Sequence, residues 1–383
     1  MTLESDSARV LREVLRRGEV SRRALERALG NGPESLNQCL AQLVKAGVLR
    51  ARDRGISFNP AFGQVVGVDM GASNLRFALA DFSGAPLSGV GGKVRPEDGP
   101  QKTIAHIAKG IRRLVRVRRG AALRAIGISV PSPVDPKSRI ATFANNLPGW
   151  KNIDLRSELE RLFRVPVEIE NDANLAAVGE YWRGVARGKD NFLFVAHGTG
   201  IGSGIFADGR LYRGRTGSAG ELFRLNVDWR RWAEVFPDTG YFEHYVSGMG
   251  IAAAGRRVLG TPGRRKFSGL AGARDARFVF DAMRRGNSKA RALLDEIFTM
   301  LGVGVANLVA VLDPDLIVLG GGLIKGAPER MLSIVRKVVG TIHPGAPPVK
   351  LSALGDRAQT FGAIYSALDA ACGAEFPFPL KTR

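Results

Sequence analysis

The sequence predicts an α/β protein with a small helical module in front of it, and three observations carry that expectation. Apolar residues recur at helical spacing from Val10 to Val44. From Val65 onward, short apolar strands alternate with glycine-rich turns and longer helical stretches. The 383 residues are 45% hydrophobic and 24% charged, with 48 glycines, a globular composition long enough for two or three domains.

In the leading module, Val10, Leu11, Val14 and Leu15 form one helical stripe that stops at Gly18. Ser21 then offers an N-cap to a second helix burying Ala24, Leu25, Ala28 and Leu29. After the turn Gly30-Asn31-Gly32, Pro33 takes a first helical position, and Leu36, Cys39, Leu40, Leu43 and Val44 share the third helix's inner face. The outer face near its N-terminus carries Glu34, Ser35, Asn37 and Gln38, amides and a hydroxyl suited to base edges. "VLRARDRGISF" alternates around a glycine turn, with Arg50, Arg52 and Arg54 available for phosphates. Residues 1–60 therefore read as a winged helix-turn-helix, with Ser35, Asn37, Gln38, Arg50, Arg52 and Arg54 as the DNA-binding candidates. "NPAFG" follows as a short linker.

The net charge of +20 suits a polyanionic partner without locating it, because residues 1–60 hold 11 Lys/Arg against 7 Asp/Glu. Two cysteines, Cys39 and Cys372, exclude a disulfide framework and a cysteine-rich zinc site. The acid-bearing, amphipathic start does not read as a signal peptide, and no apolar run approaches a membrane span. A reducing cytoplasm is the expected location.

In the body, the strand Val65–Val68 delivers Asp69 to a small-residue turn, and a second strand, Leu75–Ala80, follows. Such a hairpin lets backbone N–H groups approach a phosphate while the carboxylate handles a hydrated Mg²⁺. Three more segments follow in order. "GISVPSPVDPKSRIATFANNLPGW" is a strand, a Pro-rich loop and an Asn-rich turn. "VEIENDANLAAVGEYW" is a strand, a carboxylate and a helix. "FLFVAHGTGIGSGIF" sets a glycine turn between strands, and "LIVLGGGL" ends a later strand on three glycines.

These motifs, with the winged module ahead of them, resemble the ROK family (repressors, open reading frames and kinases) across residues 62–372. The resemblance implies an actin-like, ribonuclease-H-like two-lobed ATPase-type fold with a sugar in the interlobe cleft, and a homodimer or homotetramer. The lobes are expected at 62–170 and 171–356, with a helix near 357–372 packing back on the first. It also implies site residues. Asp172 stands where the kinases hold the general base for the sugar hydroxyl, although a plain helix cap would explain it too. Asn146, Asn171, Glu221 and Glu243 match the other sugar contacts. Asp69, Gly71, Ser73, Gly198, Thr199, Gly200, Gly320, Gly321 and Gly322 match the nucleotide and phosphate loops.

The departures matter as much. Ala72 and Ser132 stand at usual glycine positions. Where zinc-bearing members have a His and three Cys, this chain has Arg224, Glu234, Phe236 and Tyr241, so zinc is expected to be absent. Trp229, Trp232, Val235, Phe236, Tyr241, Phe242 and Tyr245 suggest a hydrophobic plug in its place. Arg224 at the imidazole position would favour an anionic sugar phosphate or sugar acid.

The expected function is a sugar-responsive DNA-binding regulator, a repressor of carbohydrate metabolism, partnered by operator DNA and a sugar effector and requiring no cofactor. The alternative is an ATP-dependent sugar kinase, which alone would need ATP and Mg²⁺.

Overall fold

The structure is a computed structural model that describes residues 6–30, 33–53, 55–71, 74–118, 120–144, 147–236, 239–260 and 275–373. The chain forms two compact units, Met1–Leu175 with Thr360–Arg383, and Ala176–Gln359.

The first unit opens with α1 (Asp6–Arg17), α2 (Arg22–Leu29) and α3 (Pro33–Lys45), then the hairpin of β1 (Leu49–Arg52) and β2 (Gly55–Phe58). The α1 stripe is buried as its spacing predicts. Ser21 caps α2 by accepting the Ala24 N–H at 3.3 Å, and Gly30 ends it at φ 65°. An isolated bridge between Val20 and Ile56 holds the hairpin against the helices, completing a winged helix-turn-helix. Two expected core residues lie outside it. Ala28 is exposed because the eight-residue α2 fully buries only Leu25, and Val44 sits at the rim of the α3 stripe, 40% exposed.

The segment expected as a linker is a packed junction instead. Asn59 caps the short turn Pro60–Phe62 and donates to the Gly47 carbonyl. Phe58 and Phe62 both meet Phe82 edge-on, at 5.2 and 4.8 Å, and the Arg124 guanidinium lies 3.8 Å over Phe62. An aromatic-cationic stack of this kind holds chain that Pro and Gly alone would leave loose.

Beyond it run β3 (Gln64–Met70), β4 (Asn74–Asp81), β5 (Pro86–Lys93), β6 (Leu123–Val130), the small hairpin of β7 (Ala141–Phe143) and β8 (Lys151–Ile153), and β9 (Val167–Asn171). The main sheet has the order β5-β4-β3-β6-β9, in which β3, β6 and β9 are parallel. One face packs on α4 (Gly99–Val115) and α5 (Leu155–Phe163) through Val66, Val68, Ile126 and Ile128. By strand alternation Gly67 and Gly127, paired in register, face the other way, against the helix Ala358–Gly373. A Cβ on Gly127 would stand 2.0 Å from the Ala363 carbonyl oxygen, so this contact requires glycine.

In the second unit, β10 (Phe192–His197), β11 (Ile201–Ala207), β12 (Arg210–Leu211), β13 (Leu316–Gly320) and β14 (Val349–Leu351) form a sheet of order β12-β11-β10-β13-β14. The helix α6 (Asp172–Arg183) precedes it, and α7 (Tyr241–Val246), α8 (Gly248–Leu259), α9 (Arg277–Arg284), α10 (Ser288–Leu312) and α11 (Pro328–Ile342) interleave with it. Contrary to the sequence expectation, α10 is long and apolar enough to cross a membrane, with an 18-residue window of mean hydropathy 1.6. Half of that window is buried, and Leu294, Phe298, Leu301 and Val305 sit in the unit's own core. Glu180 on α6 is fully buried and accepts from the Ser352 hydroxyl at 2.5 Å and from the Leu354 and Val185 N–H groups.

Candidate functional site

Parallel strands gather their C-terminal ends on one edge, and that edge is where open α/β sheets hold ligands. In the first unit the register pairs Asp69 with Ser129 and Val130 with Asn171, so β3, β6 and β9 finish side by side. The Asn171 side-chain oxygen accepts from Ala173 and Asn174 N–H at 2.9 and 3.2 Å, which makes Asn171 the cap of α6. Its amide nitrogen donates to the Ser132 carbonyl at 3.4 Å, and the buried Ser132 hydroxyl donates to Pro133 O. Capping by Asn171 leaves Asp172 as the first residue of α6, where its carboxylate accepts from the Ala173 N–H at 2.8 Å.

Burial pushes the Asp172 carboxyl up to about 6, and the neighbouring Asp69 carboxylate adds to the shift. Asp69 is buried and takes 2.9 Å charge-assisted contact from Arg76, its register partner on β4. Gly71 follows β3, and its N–H donates to the Asn74 carbonyl. Ser73 and Asn146 lie outside the described residues.

In the second unit, β10 and β13 run parallel with Ala196 opposite Gly320, which sets two glycine turns next to each other. Gly321 has φ 99°, and a Cβ there would meet the His197 carbonyl oxygen at 2.4 Å. The Gly198-Thr199-Gly200 turn closes on itself, Gly198 N–H to Gly200 O at 3.0 Å. The start of α8 caps it, with Gly248 and Met249 N–H groups donating to the Gly198 and Thr199 carbonyls. Gly322 has open space around its Cα, and Thr199 is exposed.

Glu243, on α7, accepts the Ile201 N–H at 2.9 Å, so it braces the glycine turn as well as presenting a carboxylate. Glu221 is set by Gly220, whose φ of 85° and whose approach to Ser203 O admit no side chain. Between these two glutamates the described chain is held by backbone and ring contacts. Gly240, at φ 65°, lies against the Phe223 carbonyl, 2.6 Å from where its Cβ would be. Phe236 packs on Tyr241, His244 and Tyr245, and Arg231 lies 4.9 Å over Tyr245 while pairing with Glu234.

The expected plug is therefore narrower than its sequence suggests. Phe242 joins the core, but Trp229, Trp232 and Val235 are 74%, 80% and 81% exposed, because the loop turns those three outward. The family's zinc does not fit here. Arg224, Phe236 and Tyr241 offer no thiolate or imidazole, and Glu234 is committed to Arg231. Among the described residues no three His, Cys, Asp or Glu converge as metal ligands. Arg224 itself is exposed, its guanidinium 5.1 Å over the Phe223 ring.

The sequence reading missed His197. It is fully buried at the end of β10, donates through Nε2 to the Val246 carbonyl at 2.6 Å, and leaves Nδ1 without a partner. Burial lowers it to about 4, so the ring is neutral. Its position before the glycine turn was the available signal.

In the winged module, Gln38 is exposed, Ser35 donates to Asp6 at 3.1 Å, and Asn37 is half-buried with its side-chain oxygen buried and unpartnered. Arg50 reaches Ser57 at 3.3 Å and Arg52 is exposed; Arg54 lies outside the described residues.

The ROK family model matches residues 65–370. The chain belongs to the ROK family. Its relatives within ROK divide by how far they extend. The xylose repressor of Caldicellulosiruptor bescii is 24% identical over 375 residues and covers 93% of both chains. The glucokinase of Thermotoga maritima is 31% identical over 311 residues, which is 96% of its length but 78% of this chain. Solved ROK structures divide the same way. A ROK hexokinase from Thermus thermophilus shares 29% identity and a TM-score of 0.67 over 79% of this chain and 97% of its own. A ROK transcriptional regulator, a homologue of the E. coli MLC protein, reaches a TM-score of 0.77 at 20% identity over 96% of both chains. The winged module is thus shared with ROK regulators, whereas the glucokinases match the ROK body alone. Two mixed-sheet lobes of the ROK, actin-like fold behind a winged helix-turn-helix describe the architecture.

Proposed function

We propose that this ROK protein is a sugar-responsive transcriptional repressor, binding operator DNA through residues 1–60 as a homo-oligomer and a sugar or sugar derivative through its body. The observation that carries the reading is the packed winged module ahead of the ROK body, in an arrangement that matches repressors over their full length. On this reading Gln38 and Ser35 address base edges, and Arg50 and Arg52 address phosphates. Asn171, Asp172, Glu221 and Glu243 supply the mix of amides and carboxylates that sugar hydroxyls need, and Arg224 would favour an anionic form. Regulation requires only that sugar and DNA prefer different conformations of the chain.

A second reading, an ATP-dependent sugar kinase, is supported by Asp172, a carboxyl raised to about 6 at the position of the kinase base. Asp69, already paired with Arg76, weighs against it as a free ligand for Mg²⁺.

Selection of bound duplexes from a random DNA pool by the full chain, followed by a sugar panel, tests the proposal. A palindromic site released by one sugar class is expected. DNA binding no stronger than non-specific association at physiological salt would refute it. ATP-dependent sugar phosphorylation abolished by Asp172→Asn would establish the kinase reading instead.

A further inference from the structure

A second candidate binding feature lies on the first unit, on the α4-covered face of its sheet. Between β5 and α4 there is a groove of about 480 Å³, within the size range of small-metabolite sites. Its floor is Phe77 and Leu75, reached because Gly92 and Gly110 carry no side chains over them. A Cβ on Gly110 would stand 2.4 Å from the Phe77 ring, so α4 rides directly on that ring.

Two elements rim the groove with basic side chains. On α4, His106, Lys109 and Arg113 fall at helical spacing on one face, and on the other side β5 and the residues after it supply Lys93 and Arg95. All five are exposed. Lys93 bonds the Asn74 side-chain oxygen at 2.8 Å, while Arg95, Lys109 and Arg113 form no ion pair with any described acid. The one acid in the lining, Asp98, faces Lys102 at 3.9 Å. Three uncompensated cations converging on an apolar floor match a ligand with an anionic end and a compact carbon skeleton.

We propose that this groove binds a phosphorylated small metabolite, of the sugar-phosphate class, with the phosphate held by Lys109, Arg113 and Arg95 and the carbon part lying toward Phe77. The site is independent of the sugar-binding reading above, because it shares none of its residues. A body with two such sites would report on a free sugar and on a phosphorylated metabolite at once.

Calorimetric titration of the full chain at low ionic strength with glucose 6-phosphate, glucose and inorganic phosphate tests it. The Asp172→Ala/Arg224→Ala background removes the candidate sugar site from the measurement. Glucose 6-phosphate is expected to bind more tightly than either other probe. Lys109→Ala/Arg113→Ala should weaken it about tenfold or more, since both charge-assisted contacts vanish. The same two alanines placed at the exposed Lys289 and Arg291 should leave it unchanged. Four results would overturn the proposal: no binding, an equal loss at the control pair, inorganic phosphate binding as tightly as glucose 6-phosphate, or glucose doing so. Displacement of glucose 6-phosphate by a DNA duplex, lost in Lys109→Ala/Arg113→Ala, would reassign the groove to the DNA track.

Discussion

The Glu243 carboxylate accepts the Ile201 backbone N–H at 2.9 Å, joining a glutamate of the candidate sugar site to the end of the glycine turn. One side chain therefore does two jobs. Glu243→Ala should cost about 1–3 kcal/mol in chemical denaturation, because a partly buried N–H loses an ionised acceptor. Glu243→Gln, which can still accept, should cost less than half of that. If both variants lower sugar affinity but only alanine lowers stability, bracing and recognition are separable. Equal stability losses would show that the amide cannot hold the turn.

His197 and Asp172 make opposite demands on pH over the same window. His197 is held near 4 against an ordinary 6.5, so the native state resists its protonation. Its contribution is complete above pH 6.5 and is lost as pH falls toward 4, on the order of 3 kcal/mol in all. Asp172 is raised from 3.8 to about 6, so its neutral form is the one the fold favours. That contribution is complete below pH 4 and is lost as pH rises through 6, up to about 3 kcal/mol. Denaturation midpoints followed from pH 4 to 7 should therefore slope more steeply upward in Asp172→Asn than in the parent. His197→Gln should slope downward. Parallel profiles for all three proteins would show that neither shift is real.

The two outward indoles give a prediction about the loop between Glu221 and Glu243. Trp229→Ser/Trp232→Ser should change stability by no more than about 0.5 kcal/mol, since exposed side chains rarely carry more. The lost fluorescence should be the solvent-exposed, red-shifted part of the emission. A large drop in melting temperature would mean that these rings are packed after all.

Gly127→Ala probes the seat of the Ala363 carbonyl on the sheet. With 2.0 Å available for a Cβ, the helix must lift or the strand must bend, and an overpacking cost of about 1–3 kcal/mol or more is expected. Gly286→Ala, at an open surface position, serves as the strain-only comparison, with φ 87° and nothing within 4 Å. Similar costs at the two positions would show that backbone strain, not the helix contact, sets the effect.

On the repressor reading proposed above, variants of the winged module should separate specificity from affinity. Gln38→Ala should cost about 1–3 kcal/mol on the selected operator and little on random duplex, as a base contact does. Arg52→Ala should weaken both and reduce the salt slope by about one. Mobility-shift titrations at several salt concentrations distinguish the two patterns, and a uniform loss in Gln38→Ala would remove it from the base edges.

Local chemistry was the readable part of this molecule. The Ser21 cap, the α1 stripe and the paired strands around Asp69 all follow from spacing within a few residues, and all are present. Contacts between distant segments were not readable. Glu180 is fully buried on α6, yet its partner Ser352, itself half-buried, is 172 residues away. Residue identity also could not say which way a loop turns. Trp229 and Phe236 are equally aromatic, but only Phe236 meets the rings of α7. Asn171 and Asp172 show a third limit. Either residue can cap a helix, and only the backbone geometry decides that Asn171 takes the Asn174 N–H, while the Asp172 carboxylate shares the Ala173 N–H with it.

The helix Ala358–Gly373 gives the first unit a divided assembly schedule. Its glycine-lined seat on β3 and β6 is made early in synthesis, and the helix that fills it is made some 230 residues later. During translation the winged module can fold, but the sheet that carries it keeps one face uncovered until the whole second unit has emerged. Arg12 on α1 then closes on Asp369 at 2.8 Å. A chain cut short anywhere in the second unit would carry the winged module on an unfinished support. Ribosome-stalled chains released before residue 358 should therefore be protease-sensitive across β3 to β9, where the full chain is not.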